Sequence, residues 1–274
     1  MASIRGSGFA ALSKLVVVAC LLGALAASAA RADLQIYVSG DVGISTSDLD
    51  SDGDYVSATP DVRMKGMDSD SSPLVGGAVG LEIPMDEILP REWLLDVRPP
   101  DWPVRFEIEG AGLREYELRT RAGGDKFYSE VEVATLFING WLDIPMISIW
   151  RPFQYLFGLG RQPRVRSWLD PMSLYLGTGI GTGFLDFKGT SNALSLSDDT
   201  IDFAWNAGVG VDYALTERVS VGAGYRYVGV GKQSIDVDGP QGSGAGDELD
   251  YEQDIHEFRA MLRVSVYDFL SPWR

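Results

Sequence analysis

The first acidic stretch of the chain alternates carboxylates with other residues, as a calcium-binding loop does. Its carboxylates are Asp48, Asp50, Asp52 and Asp54, with a glycine between the last two. Alternate carboxylates suit Ca²⁺ or Mg²⁺ because both ions prefer oxygen ligands. The twelfth position is Thr59, where such loops carry the glutamate that closes the site. The pattern predicts weak Ca²⁺ or Mg²⁺ binding and no other cofactor, and a solvated acidic loop is the alternative.

A second set of charged residues lies in segments where polar and apolar residues alternate, always at the polar positions. If these segments close into a small barrel, the set points into a lumen that side chains fill completely. Opposite charges confined there should pair, because a buried unpaired charge is costly. The pattern predicts a structural ion-pair network; the alternative is a narrow, weakly cation-selective pore, since carboxylates outnumber arginines. The residues are Glu82, Arg105, Glu107, Glu109, Glu130, Glu132, Asp202, Asp212, Arg226, Glu257, Arg259 and Arg263.

The segments that position these residues alternate in polarity. In an extended chain successive side chains point to opposite faces. Between residues 255 and 269 His256, Phe258 and Leu262 fall on one parity, whereas Glu257 and Arg259 fall on the other. Seven earlier segments alternate similarly, which favours a closed barrel with its apolar face on lipid. The predicted strands span 34–45, 73–83, 104–119, 127–142, 174–187, 201–213, 219–227 and 255–269.

The fourth strand has the least certain register. Val131 and Val133 alternate with Glu130 and Glu132, which predicts that the valines face lipid and the glutamates face the lumen. Residues 135–138 are then apolar on both parities. Such a change indicates a bulge in this strand or a tightly filled lumen.

The N-terminal residues 1–32 have the composition of a cleaved signal peptide. Arg5 and Lys14 supply positive charge before an apolar run at residues 15–27. A small-x-small cleavage site follows at residues 30–32. Without this segment the chain keeps 20 basic and 39 acidic groups, a net charge of −19, and loses its single cysteine, Cys20. So acidic a protein is not expected to bind nucleic acid. We expect one domain over 33–270, with a short periplasmic tail at 271–274.

The connections between strands differ in length and composition. Polar, acidic outer loops are predicted at 46–72, 119–126, 188–200 and 233–254. A tight turn at 214–217 and two long insertions at 84–103 and 143–173 are predicted on the periplasmic side. Tryptophans gather on that side, as in an aromatic belt at a membrane interface. They are Trp93, Trp102, Trp150, Trp168 and Trp273.

The second insertion is aromatic between residues 147 and 157 and is followed by Arg161, Arg164 and Arg166. This composition suits a segment that buries rings at the membrane boundary and places arginines on lipid phosphates. A lid over the inner mouth of the barrel is an equally good interpretation, and a docking surface for a periplasmic protein is a third.

The chain resembles the small eight-stranded outer-membrane barrels of the OmpA and opacity or surface-antigen type. The resemblance rests on glycine-rich alternating segments and covers residues 33 to about 270. It implies an all-β, eight-stranded antiparallel transmembrane barrel in a Gram-negative outer membrane. The segments are 37–43 (YVSGDVG), 176–181 (LGTGIG), 206–213 (NAGVGVDY) and 222–227 (GAGYRY).

For function, the resemblance implies a structural protein, an adhesin, a surface antigen or a narrow pore. Its partners would be outer-membrane lipid and lipopolysaccharide, with a periplasmic or host protein as a further candidate. Some barrels of this size modify lipid A with a serine and a histidine. Here the single histidine, His256, is followed two residues later by Phe258 instead of serine. No orienting third group is evident, so we expect a non-enzymatic protein, with a lipid A-modifying enzyme as the remote alternative.

Overall fold

The computed structural model describes residues 34–55, 62–88, 102–122, 125–158, 163–190, 195–236 and 248–266. The predicted signal peptide and C-terminal tail lie outside these residues. Two of the predicted interface tryptophans, Trp93 and Trp273, lie outside them as well. The chain divides into two compact units. The larger, Gln35–Glu82 with Trp102–Arg274, contains the barrel. In the smaller, the structure describes Leu34, the end of the second strand and a short helix, α1 (Met85–Ile88).

The larger unit is a closed antiparallel barrel in which eight strands pair in chain order and β8 closes on β1. The predicted fold class and strand number are therefore confirmed. The strands are β1 (Gln35–Tyr55), β2 (Val62–Pro84), β3 (Pro103–Ala122), β4 (Asp125–Pro145), β5 (Met172–Thr190), β6 (Ser195–Ala214), β7 (Val219–Asp236) and β8 (Glu248–Ser265).

Alternation along each strand separates an apolar outer surface from a filled interior. On β8, Phe258 is 63% exposed on the outside, whereas its neighbour Glu257 is fully buried inside. Ile44, Ile138 and Ile180 are similarly exposed on other strands. Such a continuous apolar surface is unfavourable in water and favourable against hydrocarbon. We call this surface the apolar band.

The strands are longer than the sequence predicts, and the added length lies at one end. The near rim carries Tyr37, Ser265 and the turn at 215–218; the far rim is the opposite end. At the far rim β1 and β2 stay paired out to Tyr55 and Val62. The expected outer loops at 46–72, 119–126, 188–200 and 233–254 are thus largely strand, because hydrogen-bonded pairing continues beyond the apolar band into polar sequence.

The register of β4 corrects the sequence-based assignment. Val131 and Val133 are buried inside the barrel, and Glu132 is exposed outside. The irregularity lies on β3 instead, between Ala111 and Arg114, where Leu113 has a φ of 61°. A bulge inserts a residue and reverses which parity faces inward. Beyond it Arg114 and Tyr116 point inward and Glu115 and Glu117 point outward.

Two further helices follow β4 at the near rim, α2 (Met146–Leu156) and α3 (Pro163–Leu169). Proline is favourable in the first turn of a helix, and Pro163 begins α3. The α2 helix follows Pro145, contains Pro152 and is capped at its C-terminal end by Phe157. Within the part of the chain that the structure describes, no helix is long and apolar enough to cross a membrane.

Candidate functional site

The near half of the lumen holds a cluster of ion pairs around two arginines. Arg105 lies 2.9 Å from Glu107 and 2.8 Å from Asp143. Arg263 lies 2.8 Å from Asp212 and 3.6 Å from Asp143. Burial strengthens each attraction and also makes each unpaired charge costly. The cluster therefore holds β3, β4, β6 and β8 together across the lumen.

The middle of the lumen holds a second cluster, in which three arginines meet three carboxylates. Arg226 lies 2.7 Å from both Glu109 and Glu257, and Arg114 lies 2.9 Å from Glu257. Arg259 lies 2.7 Å from Glu109 and also pairs with a third carboxylate, that of Asp41. These arginines and carboxylates are equal in number, so this layer carries no net formal charge.

The far half of the lumen is mainly apolar, although a buried hydrogen bond from Gln253 to Ser47 also lies there. Its buried side chains meet in one cluster that includes Tyr116, Val131, Val133, Phe137, Leu185, Ala204, Val228, Val230 and Ile255. Phe137 is fully buried at the boundary between the two halves, and the Arg226 guanidinium lies 5.4 Å from its ring centroid. An ion that crossed this layer would have to lose its water, at a cost of several kcal/mol.

Tyrosine and tryptophan side chains fill the space between the charged layers. The Tyr37 hydroxyl donates to Glu107 at 2.6 Å, and the Trp141 indole donates to the same carboxylate at 2.8 Å. A Cβ at Gly80 would lie 2.3 Å from the Tyr37 ring. Glycine is thus required there by the close approach of the Tyr37 ring. A cavity of about 30 Å³ lies among the ion pairs, space for about two water molecules.

The structure places most of the predicted charged group inside the barrel. Arg105, Glu107, Glu109, Asp212, Arg226, Glu257 and Arg259 are buried, and Arg263 faces the same lumen. Glu82 and Asp202 have inward parity and are half-buried. Glu130 and Glu132 are corrected to the outer surface, because β4 pairs with β5 in one unbroken register.

Sequence reasoning missed three members of this network, Asp41, Arg114 and Asp143. Asp41 lies on the polar parity of β1, so the alternation rule could have identified it. Asp143 lies two residues beyond inward Trp141, past the predicted end of its strand. Arg114 could not be found, because the bulge before it reverses the parity of β3.

Two other predicted sites are only partly described. The segment with Asp48, Asp50, Asp52 and Asp54 belongs to strand β1, but its side chains lie outside the described ones, so the divalent-ion site stays a prediction. Among the described side chains no three potential ligands are close enough to hold one metal ion. Of the interface tryptophans, Trp102 and Trp150 are half-exposed and Trp168 is 70% exposed.

His256 lies on the outer surface of β8 within a group of aromatic rings. A hydrogen bond of 2.6 Å joins its Nδ1 to the Tyr225 hydroxyl, and its ring lies edge-on to Tyr227. Tyr227 donates to Asp254 and packs on Trp205. Rings with polar tips at the edge of an apolar band are typical of the aromatic girdles of membrane barrels.

The sequence pattern of the outer membrane protein beta-barrel domain matches residues 16–263. The chain belongs to this family. The suggested resemblance to small outer-membrane barrels is therefore confirmed, and this is an outer-membrane β-barrel protein of the Gram-negative type. Its apolar band is the surface that contacts lipid, and the barrel crosses the outer membrane with strands.

One relative is the outer membrane protein PagN of Salmonella typhimurium, 30% identical over 145 residues. The alignment covers 50% of this chain and 54% of PagN, so the chain spans about half the length of that relative. Among solved structures, Neisserial surface protein A is 15% identical with a TM-score of 0.36, over 84% of this chain and 96% of that one. The attachment invasion locus protein Ail of Yersinia pestis is 13% identical with a TM-score of 0.37, over 84% and 99%.

Proposed function

We propose that this barrel is a closed, non-enzymatic surface protein of the outer membrane. The observation that carries the proposal is the filled lumen, in which ion pairs occupy the near half and the middle and a mainly apolar cluster occupies the far half. A closed barrel offers no path for solutes, so its role lies in its lipid-facing wall and in the rim that it displays. A structural or adhesive role in the envelope fits this arrangement.

The apolar far half of the lumen weighs against the alternative of a narrow pore. An apolar constriction excludes water and blocks ions by dewetting. The cavity of about 30 Å³ is too small for a continuous water column. In the middle layer Arg226 and Arg259 each pair with two carboxylates, and Arg114 shares Glu257 with Arg226. Rearranging one pair would therefore disturb its neighbours.

Planar-bilayer recording of the refolded protein tests the closed lumen. We expect no steady conductance steps, with a general diffusion porin refolded in the same detergent as the positive control. Steady unitary steps that scale with protein concentration would contradict the proposal and restore the cation-selective pore.

We propose that the far rim faces the outside of the cell and the near rim faces the periplasm. Bacterial outer-membrane barrels have short periplasmic turns and longer external extensions. The four-residue turn at 215–218 lies at the near rim, and the strand extensions lie at the far rim. Protease treatment of intact cells should cut within 46–72 and 233–254 and spare 143–173. Cuts within 143–173 in intact cells, with lysed cells as the control, would reverse this orientation.

We propose that α2 and α3 lie on the inner leaflet of the outer membrane. Tyr155, Phe157 and Trp168 are 90%, 65% and 70% exposed, which is unfavourable in water. Arg164 and Arg166 lie on α3 in a chain whose net charge is −16. Exposed rings beside arginines suit an interface with anionic phospholipid. This favours the lipid-interface interpretation over a lid, because these three rings are largely exposed.

The outer-surface histidine supports the non-enzymatic assignment. His256 is hydrogen-bonded to Tyr225 and packed among aromatic rings, and Phe258 takes the position where lipid A deacylases have serine. Mass spectrometry of lipid A from cells with and without the gene tests this. We expect identical acylation patterns. A gene-dependent loss or gain of an acyl chain would establish the enzymatic alternative.

A further inference from the structure

Two parallel rows of side chains cross the outer surface of β3, β4, β5 and β6 at the edge of the apolar band that lies toward the far rim. The acidic row is Glu115, Glu132, Asp186 and Asp199, and each member is the direct register partner of the next. Immediately below it, the apolar row is Leu113, Ala134, Phe184 and Ile201. Together the rows line a groove of about 600 Å³.

The bulge on β3 shapes this groove. Leu113 is not a glycine, yet it has a φ of 61° and its side chain is 74% exposed. A left-handed conformation is unfavourable for leucine and persists where the surrounding structure imposes it. The bulge also turns Glu115 outward, which adds the first carboxylate to the row. If the same residues formed a regular strand through this point, Glu115 would keep the parity of Glu107 and Glu109 and would point into the lumen.

The acidic row is unfavourable for the protein alone. Like charges that lie directly opposite each other on adjacent strands destabilise a sheet. Repulsion by Glu130, which lies diagonally across from it, is the main cause of the raised pKa of Glu115. Among the described side chains, Lys188 is the exposed cation at this surface, 3.3 Å from Glu132 and 3.0 Å from Asp186. The row thus already binds one ammonium group and contains more carboxylates than this group neutralises.

We propose that this groove binds a cationic amphipathic peptide from outside the cell. Adjacent strands are about 4.8 Å apart, so the carboxylates repeat at nearly the same interval as lysines one turn apart on a helix, about 5.4 Å. A helix lying across the strands would pair successive lysines with the acidic row. Its apolar face would rest on Leu113, Phe184 and Ile201.

The geometry favours a peptide over a single divalent ion. The carboxylates are spread along a line of four strands, and no described trio is close enough to share one ion. A divalent ion would also make no favourable contact with the apolar row. Lipopolysaccharide phosphates carry the same sign of charge as the row and are repelled by it.

Fluorescence anisotropy with a labelled leucine–lysine helical peptide tests the proposal, using the full chain refolded in nanodiscs of zwitterionic lipid. The double variant Glu115→Gln/Asp199→Asn should bind the peptide roughly three- to tenfold more weakly, since each exposed charge pair contributes little by itself. The matched control is Glu217→Gln/Asp170→Asn, which removes two carboxylates far from the groove and should change the affinity by less than twofold. A peptide with glutamate in place of lysine should not bind.

The apolar row is tested separately with Phe184→Ser, which should weaken binding severalfold while the protein keeps the shifted gel mobility of a folded barrel. Equal loss of affinity in both double variants would reduce the effect to net charge and overturn the proposal. An unchanged affinity in Phe184→Ser would overturn the role of the groove. Loss of peptide binding in millimolar Mg²⁺ but not in Na⁺ of equal ionic strength would instead assign the row to divalent ions.

Discussion

Arg226 and Glu257 are direct register partners on β7 and β8, and their charged atoms lie 2.7 Å apart inside the barrel. The Glu257 carboxylate also pairs with Arg114, and Arg226 also pairs with Glu109. All four side chains are almost completely buried. This pair therefore joins neighbouring strands and connects both of them to β3 across the lumen.

Removing the charge of Glu257 should be strongly destabilising. Glu257→Gln removes the carboxylate that lies between Arg226 and Arg114 and leaves Arg226 with Glu109 alone, so we expect a loss of about 3–5 kcal/mol in the free energy of unfolding. Urea titration in detergent micelles, read by tryptophan fluorescence, measures it. The control is Glu132→Gln, which breaks an exposed pair with Lys188 and should cost below about 1 kcal/mol. Equal losses would show that the interior pair is as well solvated as the surface pair.

The apolar layer of the lumen should respond to truncation as a protein core does. Phe137→Ala removes a fully buried ring, and we expect a loss of about 3–5 kcal/mol. The control is its neighbour Leu136→Ala, on the lipid-facing side, where lipid can fill the space left by the lost atoms. The same urea titration compares the two. A larger effect at Leu136 would mean that the register of β4 is reversed.

Alternation predicts the barrel well only where lipid lies outside. On β8 the apolar parity holds Phe258 and Leu262, which face outward, and the charged parity holds Glu257, which faces inward. On β4 the same rule places Val131 and Glu132 on the wrong sides. Beyond the apolar band the outer surface meets water and headgroups, while Val131 and Val133 lie in an apolar cluster inside, so the polarity of the two faces of β4 is exchanged.

The far ends of the strands escaped prediction for a related reason. They are acidic and rich in serine and glycine, so their composition indicates loops. Backbone pairing with a neighbour, as between Asp52 and Lys65, nevertheless continues the ladder. The bulge on β3 contains Gly112, and a glycine inside a strand can indicate a bulge. Glycines are so common along these strands that this one does not single out the position, and the reversed parity beyond it was missed.

The lumen-facing glycine at Gly80 should not tolerate a larger residue. Its built Cβ would lie 2.3 Å from the Tyr37 ring, whereas nothing lies within 4 Å of a Cβ at Gly140. We expect Gly80→Ala to cost about 1–3 kcal/mol by overpacking. Gly140→Ala should be neutral or slightly stabilising, because alanine lowers the entropy of the unfolded chain. Thermal loss of the compact gel band measures both, and a neutral Gly80→Ala would contradict the tight fit.

The near-rim helices should contact lipid. We expect the fluorescence of Trp168 to be quenched by phospholipids brominated near the headgroup, measured as the difference between the native protein and Trp168→Phe. The control is Trp141→Phe, which removes an indole that is 6% exposed in the lumen and beyond the reach of bromine. No difference between the native protein and Trp168→Phe would favour a lid or a protein-docking surface for α2 and α3.

The acidic row should make stability depend on pH in a predictable direction. Glu115 lies above the apolar band, and repulsion by Glu130 raises the pKa of its carboxyl. A raised pKa in the folded state means that protonation favours folding. The contribution is thus present below the ordinary pKa of glutamate, about 4.3, and lost as the pH rises through the raised value. Glu115→Gln should therefore be more stable than the native protein at pH 7 and equal to it at low pH. Urea titrations across this range measure the difference, with Glu217→Gln as the control. A gap that widens toward acid would mean that Glu115 is instead stabilised as a carboxylate.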